Sequence, residues 1–376
     1  MDLALYHDEL GYYARAAQRS GRAGDFFTSV DVGALFGELL AMQVDEMAQL
    51  IKARGSTLKA QEQVEPSASS FDTFAAIQPF DFVEAGAGNG RLAADILTAL
   101  RRNARSTYDR LRLHLVEASG AARAAQPATL GDMADRLAST SERLPSSFDG
   151  ILLANELFDA MPVHQVVMRE DGLREMFVAA GQDGRLATFE AEPSTPLLAE
   201  YLERAGVELE PGWRAEINLR AIQWIRDAAR RLRAGFIIAI DYGHEAHDLY
   251  SASHAGGTLT TFTAHTLAGP ERSASTPPWL DAPGERDITA HVDFTSLRAA
   301  AEAEGLRTLG FLDQTYFLMA LANLENPSNL LNPSNLASFK TLIMPGGLGS
   351  THKVLMLGKG VGAPALRGCS YRMRVT

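Results

Sequence analysis

The sequence is poor in the residues that build covalent scaffolds and membrane spans. Its 376 residues include one cysteine, Cys369, which excludes a disulfide framework and a zinc cluster held by cysteines. No apolar run reaches the ~18 residues that a membrane-spanning helix needs. The 35 lysines and arginines are outnumbered by 46 aspartates and glutamates, giving a net charge of −11. This balance argues against broad binding to nucleic acid or anionic membranes and favours basic partners.

The composition is that of a globular protein, with 46% hydrophobic and 22% charged residues. Its length suggests one large domain, or one domain with a cap. The first thirteen residues, MDLALYHDELGYY, are acidic and aromatic, unlike a signal or transit peptide. We therefore expect a protein of the reducing cytoplasm.

The chain is organised around the stretch FDFVEAGAGNGRLAA, residues 80–94. An apolar run ends at Glu84, Gly86, Gly88 and Gly90 follow at alternate positions, and helical spacing of apolar residues comes next. This pattern predicts a strand, a tight loop and a helix. Glycines let the backbone bend sharply and approach a ligand, and the helix N-terminus presents free N–H groups. The stretch therefore predicts a nucleotide-like cofactor at the C-terminal edge of a parallel sheet.

The spacing of the glycines indicates which cofactor binds. The dinucleotide fingerprint is G-x-G-x-x-G/A, but Arg91 occupies its last position. The pattern E-x-G-x-G-x-G resembles motif I of class I S-adenosylmethionine methyltransferases. A second predicted strand ends at Glu117, whose carboxylate can accept hydrogen bonds from both ribose hydroxyls. We expect S-adenosylmethionine as the cofactor, bound by Glu84, Gly86, Gly88, Gly90, Glu117 and Asn155; a purely structural glycine turn is the competing interpretation.

The remaining elements predict an open α/β sheet of the class I methyltransferase (Rossmann-like) type with an inserted substrate-side region. A buried strand at 148–154 leads into Asn155 and further polar residues, residues 163–190 have the alternation of hairpins, and residues 244–290 form a long irregular stretch. The expected division is an N-terminal helical segment (1–54), a cofactor-binding core (80–160 and 214–243 with 294–360) and an inserted substrate region (161–213 and 244–293).

Sequence blocks in the same order along the chain resemble the MidA family of protein arginine methyltransferases, whose mitochondrial members are complex I assembly factors. The blocks are LYHDELGYY, GDFFTS, FGELLA, VEAGAGNGRLA, NELFDAMPVHQ, DYGH, LYS with GGTL, DITAHVDF and PGGLG. The resemblance implies symmetric dimethylation of an arginine on a protein, such as an NADH dehydrogenase subunit of a respiratory complex. A nicotinamide oxidoreductase and a non-catalytic assembly factor that keeps the fold remain the alternatives.

Methyl transfer to arginine requires carboxylates, because the guanidinium stays protonated at ordinary pH and carboxylates bind it with bidentate hydrogen bonds. The candidate catalytic residues are Glu156 and Asp159, which share one face if their segment is helical, and Glu216. For each of them a structural role, such as a helix-start acid or a solvated acid, is the alternative. Further candidates for lining the cleft are Asp25, Asn155, Asp241 and Tyr242.

Two histidines, His244 and His247, raise the question of a metal ion. A metal site needs at least a third ligand, and the sequence pattern offers none for this pair. His291 has the character of a structural histidine. We therefore expect no metal.

Overall fold

The fold is given by a computed structural model, which describes residues 1–14, 28–62, 78–182, 184–263, 266–268, 277–322, 332–344 and 348–371. The candidate Asp25 lies outside the described residues. The strands are β1 (Phe80–Ala85), β2 (Leu111–Val116), β3 (Leu137–Ser141), β4 (Phe148–Asn155), β5 (His164–Arg169), β6 (Gly172–Ala180), β7 (Leu186–Ala191), β8 (Arg214–Ile217), β9 (Leu232–His244), β10 (Thr260–Thr263), β11 (Thr266–Ala268), β12 (Asp287–Thr289), β13 (Val292–Asp293), β14 (Arg307–Asp313) and β15 (His352–Lys359).

Helices flank these strands and connect most of the strands of the large sheet. The α-helices are α1 (Asp2–Tyr6), α2 (Leu35–Glu62), α3 (Arg91–Asn103), α4 (Arg105–Arg110), α5 (Gly120–Leu130), α6 (Leu197–Ala205), α7 (Leu219–Arg231), α8 (Ala246–Leu249), α9 (Phe294–Ala303), α10 (Gln314–Ala322), α11 (Pro333–Ile343) and α12 (Leu348–Thr351). Among the described residues, no helix is both long and apolar enough to cross a membrane.

The largest sheet has the strand order β14-β15-β9-β4-β1-β2-β3, with the short β13 paired to β9. Strands β3, β2, β1, β4 and β9 run parallel to their neighbours, whereas β15 is antiparallel to both β9 and β14. The predicted open α/β sheet is confirmed.

Helices cover both faces of the sheet. Successive side chains of a strand point to opposite faces, so the apolar strands give the sheet two apolar faces, and each is buried under a helical layer. All six residues of β1 are buried. Phe82 packs with α2 and α3 in one core, and Val83 packs with α7 and α9 in the other. Burial on both faces explains why the central strands read as continuous apolar runs rather than as alternating ones.

A second sheet of four strands, with the order β7-β6-β5-β8, is built from the predicted inserted region. The predicted hairpins are confirmed as β5, β6 and β7. This sheet also includes β8, which pairs with β5 and lies just beyond the boundary expected at residue 213. Its core contains Val166, Leu198 and Tyr201 and also Leu249, from the region after β9, so the two inserted stretches pack together.

The order of the strands determines where a ligand can bind. From β1 the chain passes through α3 on one face of the sheet, and from β4 it reaches β9 through α7 on the other face. The loops that follow β1 and β4 therefore diverge and leave a crevice at the carboxyl ends of these two strands.

Candidate functional site

A cavity of about 1190 Å³ opens at the carboxyl ends of β1, β2 and β4. It has a glycine end, formed by the loop after β1, and an acidic end, formed by the segment after β4, by Asp287 and by the N-terminal tyrosines. Seven of the predicted site residues line it: Glu84, Gly86, Gly88, Glu117, Asn155, Glu156 and Asp159. The structure thus brings together residues that are far apart in the sequence.

The glycine loop is held in a conformation that favours glycine. Gly86, Gly88 and Gly90 have φ angles of 72°, 51° and 85°, in the left-handed region that other residues rarely adopt. A Cβ on Gly86 would lie 3.2 Å from Leu157 Cδ1, whereas one on Gly88 would have no atom within 4 Å. Gly88 therefore presents open backbone to the cavity.

Gly90 has a different role from the other two glycines. It is the N-cap residue of α3 and does not line the cavity. A Cβ there would lie 3.2 Å from Leu115 Cδ1, so the absence of a side chain lets α3 begin close to β2. Gly90 would therefore affect cofactor binding by setting where α3 begins, and not by touching the cofactor.

Glu117, directly after β2, is hydrogen-bonded to the glycine loop. Its Oε2 accepts a hydrogen bond from the Gly88 backbone N–H at 2.8 Å, and its Oε1 accepts one from the Ser119 N–H at 2.8 Å. Each carboxylate oxygen has a second lone pair, which leaves acceptor capacity for a ligand. The Gln126 amide also holds the loop, because its Nε2 donates to the Gly88 carbonyl at 2.9 Å.

Two side chains beneath the loop, Glu84 and Asn155, each carry a buried oxygen, Oε2 and Oδ1 respectively, that has no hydrogen-bond partner within the described part of the chain. Glu84 is 3% exposed, and burial raises its pKa to about 8, although the Ala93 N–H opposes the shift. Buried polar atoms are normally paired. Their position on the cavity wall therefore indicates that a polar ligand supplies the missing partners.

Glu156 follows β4 and has a positive φ of 49°, which is unusual for a residue with a side chain. Its N–H donates to the Ile240 carbonyl at 2.8 Å. Its carboxylate Oε1 accepts from the Ser29 N–H at 3.2 Å and lies 3.6 Å from His352 Nε2. These contacts hold the carboxylate on the cavity wall.

Asp159 lies with Asp287 at the acidic end of the cavity. Asp159 is 7% exposed, and its Oδ1 has no hydrogen-bond partner among the described residues. Burial, and then the nearby Asp241, Asp287 and Glu156, raise the pKa of Asp159 well above its ordinary value. The carboxyl group therefore keeps its proton to a higher pH than an exposed aspartate does, until a cation or hydrogen-bond donor approaches it.

The segment that carries Glu156 and Asp159 is not helical, so the condition under which the two residues would share one helical face is not met. The carboxylate of Asp241 shapes the segment instead. Asp241 Oδ2 accepts from the N–H groups of Leu157 and Phe158 at 3.0 and 2.8 Å. Asp241 is fully buried and outside the cavity lining, and burial raises its pKa to about 7.

Glu216 is not brought to the cavity, contrary to its predicted place beside Glu156 and Asp159. It is 5% exposed on β8. Its Oε1 accepts from Gln165 Nε2 at 3.0 Å, and its Oε2 accepts from the Thr258 N–H at 2.7 Å and the Thr258 hydroxyl at 3.0 Å. With its oxygens occupied, Glu216 anchors the Thr258 loop and has no direct access to a substrate.

Sequence reasoning missed several residues of the acidic end. Asp287 is 3% exposed and accepts a hydrogen bond from the Tyr13 hydroxyl at 2.9 Å, and the Tyr6 hydroxyl donates to the Ala160 carbonyl at 3.1 Å. The blocks LYHDELGYY and DITAHVDF contain all three side chains, but nothing in the sequence shows that the blocks meet. Tyr242, a predicted cleft residue, does line the cavity.

The sheet order and the glycine loop beside Glu117 define a class I S-adenosylmethionine-dependent methyltransferase. The glycine end of the cavity fits that cofactor. Its glycines carry no Cβ that would block the cofactor, and Glu117 has lone pairs left to accept hydrogen bonds. Glu84 and Asn155 carry buried oxygens that have no partner among the described residues. Comparison with known proteins identifies the family more closely. Residues 65–312 match the family described as "Putative S-adenosyl-L-methionine-dependent methyltransferase", and the chain belongs to this family.

The solved structures agree with this assignment. The structure of a "likely methyl transferase" from Burkholderia thailandensis bound to S-adenosylhomocysteine superimposes with a TM-score of 0.79 at 28% identity, covering 98% of this chain and 88% of that one. The fold class and the cofactor expected from the sequence are confirmed.

Curated relatives carry the resemblance further. The chain is 27% identical over 396 residues to the protein arginine methyltransferase NDUFAF7 homolog, mitochondrial, of Drosophila melanogaster, covering 95% of this chain and 80% of the relative. It is 28% identical over 346 residues to the protein arginine methyltransferase NDUFAF7, mitochondrial, of Rattus norvegicus, covering 85% and 68%. The resemblance to a family of arginine methyltransferases is confirmed.

The expected cytoplasmic location is wrong by the same comparison. The curated relatives from Drosophila melanogaster, Rattus norvegicus and Homo sapiens are all named as mitochondrial proteins. The acidic and aromatic composition of residues 1–13 therefore did not indicate the compartment of the protein.

Proposed function

We propose that this chain transfers a methyl group from S-adenosylmethionine to an arginine of a protein. The observation that carries the proposal is the buried Oδ1 of Asp159, which has no hydrogen-bond partner among the described residues, beside Glu156 and Asp287 in the cavity that also contains the glycine loop. A guanidinium ion has five N–H donors in a planar fork and stays charged at all ordinary pH values. It is the protein side chain best suited to pair with closely spaced carboxylates.

The charge of the cavity wall supports a cationic substrate. The two arginines among the described residues of the wall are already paired: Arg91 with Asp31 at 2.9 Å, and Arg220 with Asp2 at 2.5 Å. The described part of the chain contributes eight acidic side chains to the wall, namely Asp2, Glu84, Glu117, Glu142, Glu156, Asp159, Asp227 and Asp287. Such an excess raises the local concentration of cations and opposes anionic substrates.

At the glycine end, the open backbone of Gly86 and Gly88 leaves room for the cofactor. Glu117 would bind its ribose hydroxyls, Glu84 and Asn155 would pair with its polar groups, and Gly90 would fix the start of α3. When bound, S-adenosylmethionine supplies a methyl group on a positively charged sulfur. The surrounding carboxylates offset the electrostatic cost of placing this cation beside a second one.

At the acidic end, Glu156 and Asp159 would orient the guanidinium so that one nitrogen faces the methyl group. Positioning of this kind supplies a large part of the rate enhancement in a two-substrate reaction. That nitrogen would form a bond to the methyl carbon as the bond between sulfur and the methyl carbon breaks, and the nitrogen would lose one proton. Asp159, whose pKa is raised, is suited to accept that proton.

We extend the proposal to the substrate protein. The names of the relatives support arginine methylation of a protein. The resemblance to the MidA family extends this to a subunit of an NADH dehydrogenase complex, dimethylated symmetrically. The four-stranded sheet and the residues after β9 supply surface around the cavity that the cofactor itself does not need.

The first prediction concerns the glycine loop. Gly88→Val places a branched side chain at a φ of 51° and directs it into the cavity, so it should abolish binding of S-adenosylhomocysteine in calorimetry. Glu117→Ala should weaken binding by about 1–3 kcal/mol through lost hydrogen bonds to a charged group. Gly131→Val is the matched control, since Gly131 has a φ of 56° and open space outside the cavity. Unchanged affinity in both test variants would reject this site.

The second prediction uses the raised pKa of Glu84. At pH 7 the free protein holds Glu84 mainly protonated, because its pKa is about 8. The positively charged amino group of the cofactor favours the ionised form, so binding should release a proton, and affinity should rise as the pH approaches 8. Calorimetry in buffers of different ionisation enthalpy measures the release, and Glu84→Gln should remove it. Equal proton release by the wild type and the variant would contradict the assignment.

The third prediction separates substrate binding from cofactor binding. Asp159→Asn and Glu156→Gln should keep the affinity for S-adenosylhomocysteine and lower methyl transfer about 100-fold. The wild-type rate should increase as the pH rises through the raised pKa of Asp159, because Asp159 must ionise to pair with the guanidinium. Asp132→Asn, an exposed acid outside the cavity, is the control. Loss of cofactor binding in either test variant would make that residue a fold or cofactor residue instead.

The fourth prediction tests the function itself. Tritiated S-adenosylmethionine should label one protein in a lysate from a strain that lacks this enzyme, and acid hydrolysis should yield methylarginine. The NADH dehydrogenase proposal requires that this protein be a subunit of that complex. Label confined to lysine, nucleic acid or small molecules would reject the arginine chemistry. Cofactor binding without any label would favour the non-catalytic assembly factor.

A further inference from the structure

Three histidines from separate parts of the chain meet beside the cavity. His244 ends β9, His254 ends a short 3-10 helix at Ala252–His254, and His291 lies between β12 and β13. One ring nitrogen from each lies within 4.8 Å of the other two, and the ring centres are 4.9, 5.4 and 5.8 Å apart. His247, which the sequence paired with His244, is exposed on α8 and is not part of the group.

We propose that His244, His254 and His291 form a binding site for a divalent transition-metal cation of the zinc class. Imidazole nitrogens suit zinc, copper and nickel ions better than magnesium or calcium. Zinc binds histidine nitrogens at about 2.0–2.1 Å in tetrahedral geometry, so modest side-chain rotations from the present spacing would complete the site. Three protein ligands leave the fourth position for water.

The hydrogen bonds of the cluster prepare its nitrogens for a cation. His254 Nδ1 lies 3.0 Å from the carbonyl oxygen of Asp248. A carbonyl oxygen only accepts, so Nδ1 must carry the hydrogen, and the lone pair is left on Nε2. A metal-bound histidine usually donates its second ring N–H to a carbonyl or carboxylate in this way. His291 Nδ1 is buried, and no residue that the structure describes forms a hydrogen bond with it.

One charged side chain near the cluster has to be considered. The nearby cation Lys353 opposes a metal ion, but it is paired with Asp313, and this ion pair reduces the repulsion.

The position of the cluster assigns the cation a structural role. The three ligands connect the end of β9 with two places in the stretch that follows it. The His291 backbone N–H donates to the Thr258 hydroxyl at 3.1 Å, and His291 lines the cavity. A bound cation would therefore hold the inserted stretch against the core and stabilise one wall of the cavity.

The test uses the full-length untagged chain, stripped of metal with a chelator and dialysed against Zn²⁺. The wild type should bind one equivalent of Zn²⁺, melt at a higher temperature with it, and give the visible absorption of tetrahedral Co²⁺ with nitrogen ligands when Co²⁺ is used. His254→Ala and His244→Ala should lower the Zn²⁺ affinity about 100-fold or more, a larger effect than the loss of a supporting contact. His247→Ala is the matched control and should bind like the wild type.

Binding of S-adenosylhomocysteine and circular dichroism report whether each variant folds. A wild type that retains no Zn²⁺ and gives no tetrahedral Co²⁺ spectrum would overturn the proposal without reference to any variant. A folded His254→Ala protein with wild-type affinity would overturn it as well, because the bound metal would then lie elsewhere. Tighter binding of Cu²⁺ or Ni²⁺ than of Zn²⁺ would keep the site and change only the ion.

Discussion

The acidic end of the cavity depends on one buried carboxylate, that of Asp241. It accepts hydrogen bonds from successive backbone N–H groups after β4 and from the Tyr242 N–H at 2.9 Å. A loop without regular structure must find partners for its polar groups, and Asp241 supplies them. Glu156 can consequently stay at a positive φ and present its carboxylate to the cavity. The geometry of the acidic end therefore depends on Asp241, although Asp241 does not line the cavity.

The same arrangement places several acids in a small volume, which has an electrostatic cost. Burial and mutual repulsion raise the pKa values of Glu84, Asp159 and Asp241, so the free protein lowers this cost by keeping protons on some of these groups. On the function proposed above, a bound cation would replace those protons. The raised pKa values would then favour positively charged ligands over neutral or anionic ones.

Local patterns predicted the fold well. The glycine spacing marked β1 and α3, and the alternation of apolar residues marked the hairpin of β5 and β6, because both signals depend on residues close together in sequence. The conformation of the Glu156 segment was left open by the sequence, because no local pattern reveals that an aspartate 83 residues later than Phe158 accepts its N–H group.

The substrate side of the site was less accessible to sequence reasoning for the same physical reason. The contact between Tyr13 and Asp287 spans 274 residues, and a buried acid such as Glu216 has the same local sequence pattern as a catalytic one. The histidine cluster is a further case, since His254 and His291 join His244 only after the inserted stretch folds back. Long-range packing, rather than residue type, separates the residues that reach the cavity from those that support it.

A continuous chain of hydrogen bonds joins the inserted sheet to the acidic end. Glu216 on β8 accepts from Thr258, whose hydroxyl accepts from the His291 N–H, and the neighbouring Ala290 N–H donates to the Asp159 carbonyl at 3.0 Å. Each link uses a backbone N–H or a buried side chain, so none can be lost without leaving an unpaired polar group. The insertion is thus part of the cavity's construction as well as additional surface. This explains why Glu216, which does not line the cavity, has hydrogen-bond partners for both of its carboxylate oxygens at the base of the cavity wall.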